Sequence, residues 1–290
     1  MRAAGAALLV LVVAAAILAP VLAPNEPGRS YRDSPFAPPM RPHVVDDEGR
    51  WHAPFVYPVR LVSRIERRYE EDRSARIGLA FFSRGRLVAL ADEARGPWLP
   101  IGADSSGRDL LSRLLYGART SVGVALLAIL VALVVGATVG GLAGYVGGTI
   151  EEALMRATEF VLVLPAVYVA LALRSALPLV LPAWQVFLLM AGIFGLVGWP
   201  FVARGVRGIV ATERTLDYAV AARSIGAGHA RLLFRHLLPA CGRFLATQAV
   251  LLVPAFILAE ATLSFVGLGF PDTVPSWGSM LHDAADVNAI

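Results

Sequence analysis

The sequence predicts an all-α polytopic membrane protein with a small α+β insert after its first span. Three observations predict this class. Of the 290 residues 57% are hydrophobic, and the mean hydropathy is +0.64, which is too apolar for an ordinary soluble chain of this length. Long apolar runs alternate with arginine-rich segments. Between the first two apolar runs, short alternating pieces are separated by turn residues, as in a small extramembrane domain.

The charged residues exclude several functions. All 26 basic residues are arginine, so the lysine that a G-x-x-x-x-G-K-[ST] phosphate-binding loop requires is missing, and the chain is not by itself a P-loop ATPase. The arginines that give the formal charge of +4 cluster mainly between apolar runs, and no stacking-aromatic or finger motif accompanies them. This pattern favours a role in membrane orientation over nucleic-acid binding. A single cysteine, Cys241, excludes an intrachain disulfide and a thiolate metal cluster. No catalytic, cofactor or metal residue is predicted.

The first predicted unit, residues 1–24, is a transmembrane anchor. Residues 3–23 are apolar and would span about 31 Å as a helix, enough for one crossing. Arg2 places the amino terminus in the cytoplasm. A cleaved signal peptide is the alternative, because small residues precede Pro24.

The second predicted unit, residues 25–113, is the α+β insert, on the periplasmic or extracytoplasmic side. After a proline-rich tether, residues 46–49 and 83–86 predict hairpin turns, and Ser63–Ser74 predicts a helix. The insert either packs on or receives a partner, or it is a passive spacer.

The third predicted unit, residues 114–290, is the transmembrane domain. Four further spans are predicted at Gly117–Tyr145, Glu151–Leu173, Trp184–Phe201 and Phe244–Phe265. Pro165 predicts a bend in the first of the two middle spans, whereas three glycines and Pro200 predict that the next span is short and broken.

Particular side chains within these spans carry further predictions. Gly136 and Gly140 have the small-xxx-small spacing that lets helices approach closely. Glu152 and Arg156, four residues apart, can pair or reach the interface. A carboxylate facing lipid is costly, so Glu260 is predicted to face a cavity or partner and to serve as a polar residue of a translocation path. None of the five histidines lies in a span, which disfavours a membrane-embedded hydrolase.

Residues 202–243, the coupling loop, are rich in arginine and are therefore predicted to be cytoplasmic. Thr212 or Thr215 is predicted to cap a helix at Leu216–Ile225, with Glu213 or Asp217 in its first turn and Gly226-Ala227-Gly228 ending it. A second helix, His229–Leu238, is predicted to end at Pro239. The pair can sit in a groove of another protein, or it can lie on lipid headgroups.

Three stretches carry a family resemblance. Ala221-Ala-Arg-Ser-Ile-Gly226 followed by His236-Leu-Leu-Pro239 resembles the EAA loop of binding-protein-dependent ABC permeases, with Val220 in place of the motif's glutamate. IGADSSGRDLLSRLLYGAR, at Ile101–Arg119, resembles the C-type subunit of the dipeptide/oligopeptide/nickel branch. So does Ile257–Gly269, with the Pro-Ser-Trp-Gly run that ends at Gly278. The resemblance covers roughly residues 100 to 285.

The resemblance implies a type I ABC permease fold and a permease subunit of an ATP-driven importer for peptide-like solutes. It implies a bacterial inner-membrane location, with four kinds of contact: a homologous permease subunit, two ATP-binding cassette ATPase subunits, an extracytoplasmic solute-binding protein and the lipid bilayer, but no nucleic acid. The implied ATPase-coupling residues are Asp217, Tyr218, Val220, Ala221, Ala222, Gly226 and Pro239.

Two points remain open at this stage. The family has a sixth span after the Ser-Trp-Gly run, so we expect that a final span is missing by truncation. The alternative function is a membrane-anchored ligand-binding, structural or signalling protein that uses its outer domain.

Overall fold

The computed structural model describes residues 2–64, 66–176, 178 and 181–285, so the last five residues of the chain lie outside the described part. Its contacts define two compact units, Met1–Val122 with Ser264–Ile290, and Gly123–Leu263. The helices are α1 (Arg2–Leu22), α2 (Leu110–Val146), α3 (Gly148–Val163), α4 (Ala166–Ser175), α5 (Ala183–Glu213), α6 (Asp217–Ser224), α7 (His229–Leu232), α8 (Leu238–Ala240), α9 (Gly242–Phe265) and α10 (Trp277–Ala285). The strands are β1 (His43–Val45), β2 (Trp51–Val56), β3 (Val59–Ser63), β4 (Arg68–Glu71), β5 (Ile77–Ser83) and β6 (Arg86–Leu90).

Three of the described helices, α2, α5 and α9, are long and apolar enough to cross a membrane. Two segments bent by 88°, Gly148–Val163 and Tyr168–Ser175, meet the same test only when they are taken together as a fourth span. The predicted first span is helical over the 21 residues of α1, of which Val10–Leu22 counts as a shorter apolar helix. The described chain is therefore a mostly helical, multi-pass membrane protein.

The predicted bend in the third span is confirmed, and a turn of two glycines precedes that span. Gly147 and Gly148, between α2 and α3, have φ angles of 76° and 59°, in the left-handed region that glycine enters without strain. Helix α3 ends at Val163, and Pro165 is the N-cap of α4 with φ −62°. Proline cannot continue the hydrogen bonding of α3, so the span bends there.

The prediction that the fourth span is short and broken is wrong. Helix α5 runs without interruption from Ala183 to Glu213, with Pro200 inside it. It continues past the predicted end at Phe201 because Val202, Val206 and Val210 are spaced by four residues and are all buried. The first 12 residues of the coupling loop are therefore part of a membrane-type helix rather than a loop.

Within the second unit, the predicted small-xxx-small motif is confirmed and extends by one more step. A Cβ atom on Gly136 would lie 2.5 Å from Val202 Cβ, and one on Gly144 would lie 2.5 Å from Arg207 O. A Cβ atom on Gly140, between them, would overlap the backbone of Ala203. Helix α2 thus packs backbone to backbone on α5 along one row of glycines.

The insert in the first unit contains a four-stranded antiparallel sheet with the order β1-β2-β5-β6. Both predicted hairpins are confirmed. Residues 46–49 connect β1 to β2, and Ser83 pairs with Arg86 across a two-residue turn. The turn residues Arg84 and Gly85 both have positive φ, which matches the right-handed twist of the strands. Val56, Ile77, Leu90 and Leu99 form the buried core beneath.

The predicted helix at Ser63–Ser74 is wrong, and the α+β class of the insert is corrected to a β-rich one. Strand β4 pairs with β3 to form a separate two-stranded sheet. Tyr69 is the inward residue of β4: it packs on the core and its hydroxyl donates to Pro35 O at 2.5 Å. The charged residues on either side of Tyr69 point outward, which is the alternation of a strand and not of a helix.

Candidate docking surface and buried charge network

In the second unit, polar contacts fix the end of α5 and the start of α7 to the end of α2 and the start of α3. Arg207 pairs with Glu151, and the guanidinium of Arg214 donates to Tyr145 O at 2.8 Å. The Tyr145 hydroxyl lies 2.6 Å from His229 Nδ1. Of the two alternatives for Glu152 and Arg156, the ion pair does not form between these described residues; both side chains are exposed, and the neighbouring Glu151 pairs across to α5. The segment that follows α5 in the coupling loop therefore starts from a helix end that these contacts hold in place.

Helix α6 divides the predicted coupling residues into two groups. Ala222 is buried, as is its neighbour Ala219, so this side of the helix packs within the chain. Val220 is 50% exposed and Ile225 is 88% exposed, and Ala221 and Asp217 are exposed with them. An exposed apolar patch on a short fixed helix is the kind of surface that enters a groove on a partner.

The start of α6 differs from the prediction in one respect. Asp217 lies in the first turn, where a carboxylate favours the helix dipole, as predicted. The N-cap, however, is Leu216 without a side-chain cap, so the predicted threonine caps are wrong. The hydroxyls of Thr212 and Thr215 instead donate to the carbonyls of Gly208 and Thr212.

Tyr218 ties α6 back to α5. Its hydroxyl donates to Glu213 Oε2 at 2.7 Å. Burial, followed by this hydrogen bond and the charge of Glu213, raises the pKa of Tyr218 to about 12. The phenol is a donor at physiological pH, as it would also be at its ordinary pKa of about 10.

Gly226 ends α6 as predicted. With φ +88° it allows two closing hydrogen bonds, from Gly226 N to Arg223 O at 3.0 Å and from Ala227 N to Ala222 O at 3.0 Å. These are the two bonds of a Schellman motif. No atom lies within 4 Å of the position a Cβ would take, so the need for glycine there is conformational and not steric.

The second helix of the coupling loop does not end at Pro239. Helix α7 passes into a π-helical turn at Leu233–Leu237, and Pro239 lies inside the following α8. The π turn tolerates this proline because the helical hydrogen bonding is already shifted by one residue ahead of it. Leu232, Leu233 and Leu237 are buried and hold the segment in place.

Glu260, the predicted path residue, lies in α9 and is completely buried. It has an interaction partner there. Burial keeps the Glu260 carboxylate out of the lipid, where it would be costly. That cost was the reason for predicting that Glu260 faces a cavity or a partner.

In the first unit, a buried network joins the Ile101–Arg119 stretch to α10, the helix that begins within the Pro-Ser-Trp-Gly run. Asp104 accepts from Arg108 Nε at 2.7 Å and lies 3.3 Å from an Arg113 guanidinium nitrogen. Both arginines also reach Asp283 of α10, at 3.2 Å and 3.1 Å. Burial raises the pKa of Asp283, although the two arginines oppose the shift. With two cations facing two carboxylates, this cluster compensates its charges internally.

A second cluster caps α2. Asp109 accepts from the backbone N–H and the hydroxyl of Ser112, and from Asn25 Nδ2 at 3.0 Å. Burial raises the pKa of the Asp109 carboxyl, which these hydrogen bonds partly offset. On α10, Ser276 and Ser279 each accept from the other's backbone N–H, which is a reciprocal cap.

Asp104, Arg108, Asp109 and Arg113 lie in the Ile101–Arg119 motif, which the sequence identified only as a family resemblance without a role for these side chains. The available signal was the spacing: Asp104 and Arg108 are four residues apart, and so are Asp109 and Arg113. Asp283 gave no signal, because its partners are at least 170 residues away in sequence. Only the fold brings α10 beside the start of α2, where Trp277 N donates to Ser121 Oγ at 3.1 Å.

These features define a multi-pass helical membrane protein with a structured loop between two of its spans. The sequence model of the family described as binding-protein-dependent transport system inner membrane component matches residues 136–287. That range is more than half of the chain, and the chain belongs to this family.

Named relatives agree with the branch that the motifs indicated. The chain is 36% identical over 183 residues to the oligopeptide transport system permease protein OppC of Bacillus subtilis, which is 63% of this chain and 58% of that protein. It is 40% identical over 185 residues to OppC of Escherichia coli K12, which is 64% of this chain and 59% of that protein. It is 34% identical over 186 residues to the di/tripeptide permease protein DppC of Pseudomonas aeruginosa, with 64% and 59% covered.

The predicted resemblance to the dipeptide and oligopeptide permeases is thereby confirmed. The chain spans less than two thirds of the length of these relatives.

Proposed function

We propose that the chain is a transmembrane permease subunit of an ATP-driven importer for peptide-like solutes in a bacterial inner membrane. The observation that carries the proposal is helix α6, which leaves Val220, Ala221 and Ile225 exposed on a scaffold fixed to two membrane-type helices. Family membership and the oligopeptide and di/tripeptide names of the relatives support the type of transport.

The proposed assembly contains a homologous permease subunit, two ATP-binding cassette ATPase subunits and an extracytoplasmic solute-binding protein. The chain itself performs no bond chemistry, and ATP hydrolysis belongs to the ATPase subunits. In this arrangement the amino terminus and the coupling loop are cytoplasmic, and the insert faces the extracytoplasmic side.

The movement of the ATPase subunits would be transmitted to this chain at α6 and from there through α5 to the membrane-spanning helices. Closure of the ATPase subunits displaces α6, which the Schellman motif at Gly226 and the Tyr218–Glu213 hydrogen bond keep rigid. The glycine row between α2 and α5 then carries the displacement into the membrane. Val220, in place of the motif's glutamate, contributes an apolar contact to the partner where the motif has a charged one.

Cysteine crosslinking tests the docking step. In a Cys241→Ser background, Ile225→Cys and Val220→Cys are expected to crosslink to an ATPase subunit in the assembled complex, because both positions are exposed on α6. Leu188→Cys, which is 51% exposed on the membrane part of α5, is the matched control and should not crosslink to that subunit. Equal crosslinking from all three positions, or none from α6, would contradict the proposed docking.

A further inference from the structure

The insert contains a cleft that the proposed transport function does not use. Its volume is about 1000 Å³, and all its lining residues belong to the first unit. Three stretches of consecutive residues form its walls: residues 31–34, 58–62 and 95–97. Strand β3 thus contributes every residue from Val59 to Val62, while its paired strand β4 contributes none. A sheet face would contribute alternate residues, so the cleft runs along the open edge of β3.

The backbone of β3 offers hydrogen-bonding groups to this cleft. Asp72 N donates to Pro58 O at 2.8 Å, and Arg60 pairs with Glu70, so the alternation of an antiparallel pair turns residues 58 and 60 toward β4. The same alternation turns the N–H and C=O groups of Val59 and Leu61 away from β4. The two-stranded sheet ends at β3, and within the described residues no backbone partner faces these groups.

The charge around the cleft is positive. Four arginines line it, at positions 32, 60, 64 and 95, against two aspartates, at positions 33 and 72. Arg64 lies 3.8 Å from Asp33, Arg95 pairs with Asp92 at 3.1 Å, and Asp72 is engaged by Ser74 and feels the charge of Arg60. Among the described residues, Arg32 and Arg60 have no carboxylate within 4 Å. An open strand edge beside two arginines without a close ion-pair partner is complementary to an extended chain that carries carboxylates.

We propose that the cleft binds an extended acidic segment of a partner protein, which adds as a strand beside β3. The five residues of β3 present an edge of about 17 Å, enough for a segment of similar length. Backbone pairing with Val59 and Leu61 would align the bound segment along β3. The arginines would select acidic side chains on that segment. The insert lies outside the residues that the family model matches, so this site is a property of the chain beyond its permease domain.

Peptide binding to the full chain in detergent tests the proposal. The probe is a fluorescein-labelled, six-residue peptide of alternating glutamate and valine, followed by fluorescence anisotropy. Two matched peptides accompany it: one with lysine in place of glutamate, and one with alternate backbone nitrogens methylated. Strand addition predicts binding of the acidic peptide and at least tenfold weaker binding of both controls. No binding of the acidic peptide, or equal binding of the methylated one, would overturn the proposal, the latter by showing only charge attraction.

Variants of β3 separate the backbone from the side chain. Leu61→Pro removes an N–H that points away from β4, whereas Leu61→Ala keeps it; the first is expected to lose binding at least tenfold and the second to retain it. Hydrogen exchange of residues 68–71 reports whether the β3–β4 pairing survives in Leu61→Pro. The double change Arg32→Gln with Arg60→Gln, which leaves the edge intact, is expected to weaken binding and to reduce its salt dependence. Unchanged binding by both the proline variant and the double variant would overturn the assignment to this cleft.

Discussion

At the residue scale, Gly226 carries the sharpest expectation, because its φ of +88° is required and the space around it is empty. Gly226→Val is expected to cost about 1–2 kcal/mol of local conformational energy and to lower solute-stimulated ATPase activity in the assembled complex. Gly226→Asn should retain most activity, because asparagine tolerates this conformation.

Gly228→Val is the control for bulk, since Gly228 has an ordinary φ of −66° and also has empty space around it. If the complex that carries Gly226→Val shows the same solute-stimulated ATPase activity as the wild type, the termination of α6 at Gly226 is not needed for transmission. A loss of activity in Gly228→Val of the same size would show that bulk and not backbone conformation is responsible.

Glu260 gives a second residue-scale prediction. Glu260→Gln keeps the shape of this buried side chain and removes its charge, so solute uptake into proteoliposomes should fall while the complex still assembles. Thr262→Val, an exposed position on the same helix, is the matched control and should leave uptake unchanged. Full uptake by Glu260→Gln would remove Glu260 from the translocation path.

At the element scale, the glycine row of α2 predicts a position-specific cost. Gly140→Ala places a Cβ onto the backbone of Ala203 and forces α2 and α5 apart, at a cost of about 1–3 kcal/mol. Gly208→Ala, on α5 with nothing within 4 Å, should be neutral or stabilising because alanine favours helix. The buried thiol of Cys241 is the reporter: its reaction with a thiol dye during heating measures unfolding. Equal midpoints for the two variants would contradict the close approach.

The elements also show why some predictions succeed and others fail. Pro165, Gly226 and the turn at Arg84 and Gly85 are determined by local conformation, and each was located from sequence alone. Helix α5 was misjudged because its internal proline and glycines suggest breaks, whereas its continuity depends on burial of Val202, Val206 and Val210.

Two further differences from the sequence analysis have the same kind of cause. Strand β4 was misjudged because its charged residues suggest an exposed helix, whereas Tyr69 is held by Pro35 and the core, which are distant in sequence. The buried network was missed because Asp283 meets Arg108 and Arg113 only after folding. Contacts between distant residues decide these features, and a local pattern does not contain them.

At the scale of the whole molecule, the proposed topology can be tested with a membrane-impermeant thiol reagent. In a Cys241→Ser background, Trp51→Cys, which is 80% exposed in the insert, should be labelled from outside intact cells. Ile225→Cys, which is 88% exposed on α6, should be labelled only after permeabilisation. Labelling of both positions from the same side would contradict the proposed arrangement of insert and coupling loop.

The π turn at Leu233–Leu237 has a consequence for protein engineering and for comparison of sequence lengths. A π turn holds one residue more than an α turn, so deletion of a single residue there can leave a continuous helix. Because the wider turn absorbs the extra residue, such a deletion would leave the segments on either side facing nearly the same way. The azimuth of the α6 surface therefore tolerates the loss of one residue at this turn, whereas the loss of one residue from a regular α turn would rotate that surface by about 100° relative to α9.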